Sequence, residues 1–212
     1  MKQLKQWGQV TRISRGLALL AICTASMLTS SCSKNENKIE SQQLLEVYGV
    51  HGSEATARLT VNGKVLFTTS VFIGKNGLGK EGEGDAKTPT GTLRVQSAFG
   101  VKPNPGTKIP YINVTSSIYA CDDNCEYYNQ IIDTAAVHHK CGGEDMFHTV
   151  PEYNYGIATD FNKECIWPKG SAIFIHCKGH KTWTGGCIAL DEERMVELLK
   201  NCDKSLIITI SD

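Results

Sequence analysis

The run from Ile173 to Leu190, IFIHCKGHKTWTGGCIAL, sets His176 eleven positions before Cys187 and places Gly185 and Gly186 directly against that cysteine. A thiolate attacks carbonyl carbon and a thiol does not, so a nucleophilic cysteine needs a base or a positive charge nearby to lower its free pKa of ~8.5. His176 is the natural partner. It closes a predicted strand, and a return through the ten residues that follow brings the imidazole toward Cys187. Glycines let a substrate carbonyl approach the main chain, and the amide hydrogens at Gly186 and Cys187 are placed to hold the oxyanion of a tetrahedral intermediate. The blander account is packing at a strand end, with Thr184 an ordinary turn threonine. His180 is a second candidate base, in a loop. Cys177 is a second candidate thiol, but strand alternation points it away from the face of His176.

Strands must hold these residues. The segment LLEVYGVHGSEATARLTVNGKVLFTTSVFIG alternates apolar and polar positions around two turn signals, Gly52-Ser53 and Asn62-Gly63, which predicts three antiparallel strands from Leu44 to Ile73. Further strands are expected at Gly91 to Val95, Tyr153 to Phe161, Ser171 to Cys177 and in the closing KSLIITI. Met195, Val196, Leu198 and Leu199 fall at helical spacing, so a helix runs from about Glu192 to Asn201, with Asp191 as N-cap and Glu192 and Glu193 in its first turn. The glycine-rich stretch from Gly74 to Asp85 lacks a terminal Gly-Lys-Ser/Thr and carries Glu81, Glu83 and Asp85, which repel phosphate. It reads as a surface loop, not a nucleotide site. From Val101 to His148 the chain is irregular and holds Cys121, Cys125, His138, His139, Cys141 and His148. No Cys-x-x-Cys there pairs with a second such element, so disulfides are preferred to a metal centre.

The 212 residues suit one well-cored domain, and Lys plus Arg balance Asp plus Glu at 22 each, so no net field draws the chain to nucleic acid. Lys2, Lys5, Arg12 and Arg15 precede the apolar run from Gly16 to Leu28, the pattern of a secretory signal at 1–31. Thr29, Ser30 and Ser31 then lead into Cys32, as at a lipoprotein signal-peptidase site, which makes Cys32 the expected lipidated residue and a membrane anchor. An uncleaved anchor, or a soluble secreted protein cut elsewhere, is the alternative. Residues 32–43 form a polar tether and 44–212 the folded domain. Of nine cysteines, Cys23 leaves with the signal and Cys32 takes lipid, leaving an odd seven. Cys187 is the candidate for the unpaired thiol, while Cys121, Cys125, Cys141, Cys165, Cys177 and Cys202 form up to three disulfides or stay reduced.

The stretch GSAIFIHCKGHKTWTGGCIAL resembles the catalytic signature of the YkuD-type L,D-transpeptidases, a histidine followed by a Ser/Thr-x-Gly-Cys element. EGEGDAKTPTGTLRV resembles the family's Asp-x-x-Thr-Pro-x-Gly-x-Phe stretch, DDNCEYYNQIIDT its Asp-Asp…Tyr-Asn segment, and YNYGIATDFN the strand before the histidine. Together they cover most of Gly74 to Ile210. The resemblance implies a mostly β fold, a single curved β-sandwich domain with one packed C-terminal helix, in agreement with the strand and turn spacing. It also implies Cys187 as nucleophile, His176 as general base and acid, Gly186 with Cys187 as oxyanion donors, and Thr184 and Gly185 on the substrate side of the loop. The chain departs from the pattern in its shorter His-to-Cys spacing, in Gly185 where many members have histidine, and in Ala189 where many have arginine. Lys178 and Lys181 are candidates for the missing charge.

The activity so implied is acyl transfer on peptidoglycan stem peptides through a thioester, giving 3–3 crosslinks, in a cell envelope compartment facing the periplasm. Sensitivity to carbapenems is implied with it. L,D-carboxypeptidase action, with water resolving the same thioester, is the near alternative; a non-catalytic wall-binding lipoprotein and an amidase acting on other peptides are the others. The mechanism requires no metal, nucleotide or organic cofactor. The oligomeric state is not legible.

Overall fold

The computed structural model describes residues 42–138 and 141–212. The predicted signal at 1–31, Cys32, the tether up to residue 41, and His139 lie outside the described residues. In chain order the elements are β1 (Gln43–His51), β2 (Glu54–Val61), β3 (Lys64–Phe72), β4 (Gly91–Gly100), β5 (Tyr111–Asn113), β6 (Ile118–Cys121), β7 (Ile131–Asp133) and β8 (Gly143–Asp145). A 3-10 turn at Glu152–Asn154 follows, then β9 (Gly156–Thr159), β10 (Phe174–Cys177), β11 (Ile188–Leu190), α1 (Glu192–Asn201) and β12 (Ile207–Ile210).

The first three strands form the predicted meander. Leu45 and Val47 of β1 and Ala55, Ala57 and Leu59 of β2 are buried while their neighbours are not, the period-2 pattern of a sheet with one face on a core. Asn62 and Gly63 both have positive φ, 51° and 77°, and Val61 lies opposite Lys64, the geometry of a two-residue hairpin.

The strands order as β12-β1-β2-β3-β11-β10-β9-β4-β5, and β12 also pairs with β4. Gly91 to Arg94 pair with Ile210 to Ile207, whereas Val95 to Phe99 pair with Thr159 to Gly156. One ten-residue strand, twice the predicted length, therefore belongs to both halves of the sheet. A register shift between Val95 and Ser97 marks the crossing. The product is a mostly β, curved sandwich whose two halves are stitched together at both edges.

Every residue of β9, β10 and β11 is buried because both of their faces are covered. Ile157, Ile175 and Ile188 enter the main core, into which α1 packs Met195, Leu198 and Leu199. Burying each such side chain stabilises by ~1.5–3 kcal/mol. Ala158 and Phe174 face a second core with Phe99, Met146 and Tyr153. By alternation His176 shares the face of Phe174, so this second core positions it.

Several expectations need correction. The stretch read as irregular contains a three-stranded sheet, β7-β6-β8, whose strands of three or four residues are too short for periodicity to reveal. Tyr153, expected at a strand start, sits in the 3-10 turn, and the strand before the histidine begins at Gly156. Asp191 precedes the helix but makes no side-chain cap; its carboxylate pairs with Lys178 Nζ at 3.1 Å. The cysteines stay within expectation: among the described residues one disulfide forms, Cys125 to Cys141, and Cys121, Cys165, Cys177, Cys187 and Cys202 are free. Cys177 and Cys202 are packed into the main core as small apolar side chains.

Candidate active site

Strands β10 and β11 run parallel with His176 opposite Ala189. Cys187 lies two residues before Ala189 and shares its face, so strand spacing and rise put the Cα atoms of His176 and Cys187 about 8 Å apart with both side chains on one side. Both line a cavity of about 340 Å³, together with Tyr153, Thr184, Gly185 and Ala189. That volume lies within the range of small-molecule sites. Cys177 faces the opposite core, and His180 is exposed outside the cavity lining.

The imidazole of His176 is 7% exposed. Its Nδ1 lies 2.8 Å from the carbonyl oxygen of Cys177, which only accepts, so Nδ1 carries the proton and Nε2 keeps its lone pair. Tyr153 stacks edge-on against the ring with centroids 5.6 Å apart, fixing its plane. Burial lowers the histidine pKa, outweighing the Cys177 carbonyl and the Glu152 charge, which raise it. The ring is neutral at pH 7, as a general base must be.

Cys187 Sγ donates to the carbonyl of Ala172 at 3.1 Å and accepts from the Phe174 N–H at 3.3 Å. Burial, followed by the charge of Glu144, pushes its pKa up to about 12, against the opposing pull of the Phe174 N–H and Lys80. The expectation of a histidine-lowered thiol pKa is not met in the resting protein, because desolvation of the sulfur outweighs its favourable partners. A thiol that shares a cavity with a neutral imidazole suits proton transfer during attack rather than a standing ion pair.

The loop before Cys187 is held by hydroxyls. Thr184 Oγ1 donates to the Cys187 carbonyl at 2.7 Å and accepts from the Gly186 N–H at 3.1 Å. Gly186 has φ 144°, and a Cβ there would lie 2.7 Å from the Lys87 carbonyl oxygen, so only glycine fits. At Gly185 a Cβ would meet nothing within 4 Å. The fully buried Thr88, in the Thr-Pro motif, donates to the Gly186 carbonyl at 2.8 Å and accepts from the Gly74 N–H at 2.8 Å.

Sequence reasoning missed several contributors. Lys80, assigned to a surface loop, has a side chain only 2% exposed and lines the cavity, with Nζ 2.8 Å from Asp85 Oδ1. Asp85 also accepts from the N–H groups of Glu81, Gly82 and Lys87. Burial works against its charge, but Lys80 and these N–H groups hold the carboxyl well below the usual range. Lys80 is thus the cation whose field reaches the thiol, while Lys178 is engaged by Asp191 and Lys181 lines the rim over Trp183. Tyr128 accepts from the Gly170 N–H, and Asn129 Oδ1 accepts from the Ala172 N–H at 3.0 Å. The Tyr-Asn pair thereby aims the Ala172 carbonyl at Cys187. The density of the motif was the available signal; the partners were not.

Acidic groups complete the wall. Glu83, Asp122, Glu144 and Glu152 all line the cavity. Burial raises the pKa of both Asp122 and Glu144, and the Glu83 charge adds to it. Tyr153 donates its hydroxyl to Glu144.

A model of the L,D-transpeptidase catalytic domain family, YkuD, matches residues 48–210. No curated protein matches the chain. Among solved structures, the helical cell shape determining protein Pgp2 from Campylobacter jejuni is similar at 17% identity and a TM-score of 0.41, over 81% of this chain and 48% of that one. The chain thus spans about half the length of that relative.

Proposed function

The chain belongs to the YkuD family of L,D-transpeptidase catalytic domains, and we propose that it acts on peptidoglycan stem peptides through an acyl-thioester on Cys187. Cys187 passes its proton to His176 Nε2 as the sulfur bonds to the carbonyl carbon of the third stem residue. The oxyanion falls first to the Cys187 N–H, since the Gly186 N–H is engaged by Thr184 at 3.1 Å. As the C–N bond breaks, His176 returns the proton to the departing terminal D-amino acid and the thioester remains. An amine of a second stem then attacks, gives its proton to His176, and leaves an amide crosslink as the sulfur departs and recovers a proton.

The observation that supports this reading is the placement of Cys187 and His176 on one wall of a single cavity, with Nε2 left as the open nitrogen of a neutral ring. The test is mass spectrometry of the full chain in detergent with disaccharide-tetrapeptides, beside Cys187→Ala. Crosslinked dimer lacking one terminal D-amino acid, absent with the variant, is the expected product. Tripeptide alone would make the protein an L,D-carboxypeptidase, and no product from folded protein would remove the peptidoglycan substrate. Lipidation at Cys32, holding the domain at a membrane that faces the wall, belongs to the same proposal. Its check is loss of fatty-acid labelling in Cys32→Ser.

A further inference from the structure

Outside the catalytic cavity, three cysteines from two chain segments converge. Cys121 ends β6, Cys125 lies in the turn that follows, and Cys141 stands two residues before β8. Their sulfur atoms all lie within 4.8 Å of one another. Cys125 and Cys141 are bonded, and Cys121 Sγ lies 3.4 Å from Cys125 Sγ. Around a tetrahedral zinc ion with Zn–S of ~2.3 Å, sulfurs sit roughly 3.8 Å apart. The free thiol is already within a few tenths of an ångström of that spacing from its neighbour.

The backbone is tied together at the same point. The Asp123 carbonyl accepts from the Cys125 N–H at 2.8 Å and from the Cys121 thiol at 3.9 Å, while Asp123 Oδ2 accepts from the Gly142 N–H at 3.0 Å. Both cysteine segments are therefore organised around one aspartate. Asp122 and Asp123 put negative charge beside the sulfurs, which opposes a bare thiolate there and favours a cation among them.

We propose that Cys121, Cys125 and Cys141 form a thiolate site for one zinc ion, in competition with the Cys125–Cys141 disulfide. A dithiol reduces that bond: two electrons and two protons pass to Cys125 and Cys141, which become thiols, while the dithiol closes to its own disulfide. Zinc then binds the three sulfurs as their protons leave to solvent, with the fourth position taken by water. Thiolate donors select zinc over magnesium or calcium. Both states fasten the same part of the catalytic wall, since Cys121 pairs with Gly143 and Ala120 with Glu144, and Asp122 and Glu144 line the cavity.

The test uses the full chain in detergent with Cys187→Ser, so that metal on the cavity thiol is not counted. The protein is reduced with a water-soluble phosphine, given zinc and desalted, and its metal content is measured by mass spectrometry. One zinc per reduced chain and none per oxidised chain is expected. Adding Cys121→Ser should weaken binding at least about tenfold and abolish the thiolate-to-metal absorption of the cobalt-substituted protein. Cys121→Ser retains the disulfide, so the melting temperature of its oxidised form reports folding independently of metal; if that form is unfolded, Cys125→Ser takes its place. A folded reduced chain without zinc, or a folded variant that binds as tightly as its parent, would overturn the site.

Discussion

The buried hydroxyl of Thr88 donates to the Gly186 carbonyl at 2.8 Å across 98 residues of sequence. The same oxygen accepts from the Gly74 N–H, so one side chain joins the glycine-rich loop to the residue before Cys187. Thr88→Val keeps the shape and removes both bonds. Each buried group left unsatisfied costs about 1–3 kcal/mol, so a clear fall in the urea midpoint is expected, together with lost activity. Thr88→Ser, which keeps the hydroxyl, should retain most of both. Equal stability of the valine variant and the parent would show that this bond does not hold the loop.

Reactivity of Cys187 should climb with pH. With its pKa pushed up to about 12, the thiolate fraction grows about tenfold per pH unit through neutrality and well into the alkaline range. Alkylation by iodoacetamide, followed at Cys187 by peptide mass mapping, should therefore show no plateau between pH 7 and about pH 10. A plateau near pH 8 would mean the thiol is activated at rest.

Stability should move in the opposite sense. Cys177, Cys187 and Cys202 are each raised from 9.0 to about 12, chiefly by burial. Below pH 9 both folded and unfolded chains hold these protons; above it the unfolded chain releases them first, so stability falls as pH rises from about 9 toward 12. Replacing Cys202 with alanine should flatten that decline in equilibrium unfolding measured across the alkaline range.

The charges around the sulfur act in opposite directions. Glu144 raises the thiol pKa and Lys80 lowers it. At fixed pH, Glu144→Gln should speed alkylation of Cys187 several-fold and Lys80→Gln should slow it by a similar factor, a pKa unit being a factor of ten in thiolate. Changes of the same sign in both variants would mean that packing, rather than charge, sets the reactivity.

The paired glycines should separate cleanly. Gly186→Ala places a Cβ 2.7 Å from the Lys87 carbonyl oxygen and 2.9 Å from Ile173 Cδ1, at φ 144°. Loss of activity with marked destabilisation is expected. Gly185→Ala meets nothing within 4 Å and should shift stability by no more than about 0.5 kcal/mol. Thermal melts of the two variants side by side decide the matter.

The meander, the hairpin turn and the helix were legible because each repeats its period over enough residues: Leu45 and Val47 alternate, and Met195, Leu198 and Leu199 recur at helical spacing. Strands β6 to β8 were not, since three or four residues carry no period. Residue type and motif singled out His176 and Cys187, which line one cavity, but their protonation was not legible. It depends on burial, on Glu144 from β8 and on Lys80, whose inward turn follows from Asp85 gathering the loop around itself. Asp191 shows the converse case: its type predicted a cap, and the tertiary partner Lys178 took the carboxylate instead.

Strand β12 lies between β1, with which it runs parallel, and β4, with which it runs antiparallel. Residues 207–210 thus join the first strand to the bent one, and neither has its full set of neighbours until they arrive. During synthesis the domain cannot complete its sheet until residues 207–210 have left the ribosome. A stop codon before Ile207 would leave two strand edges open to pairing with other chains. The long separation between β1 and β12 also places their contact among the slow steps of folding.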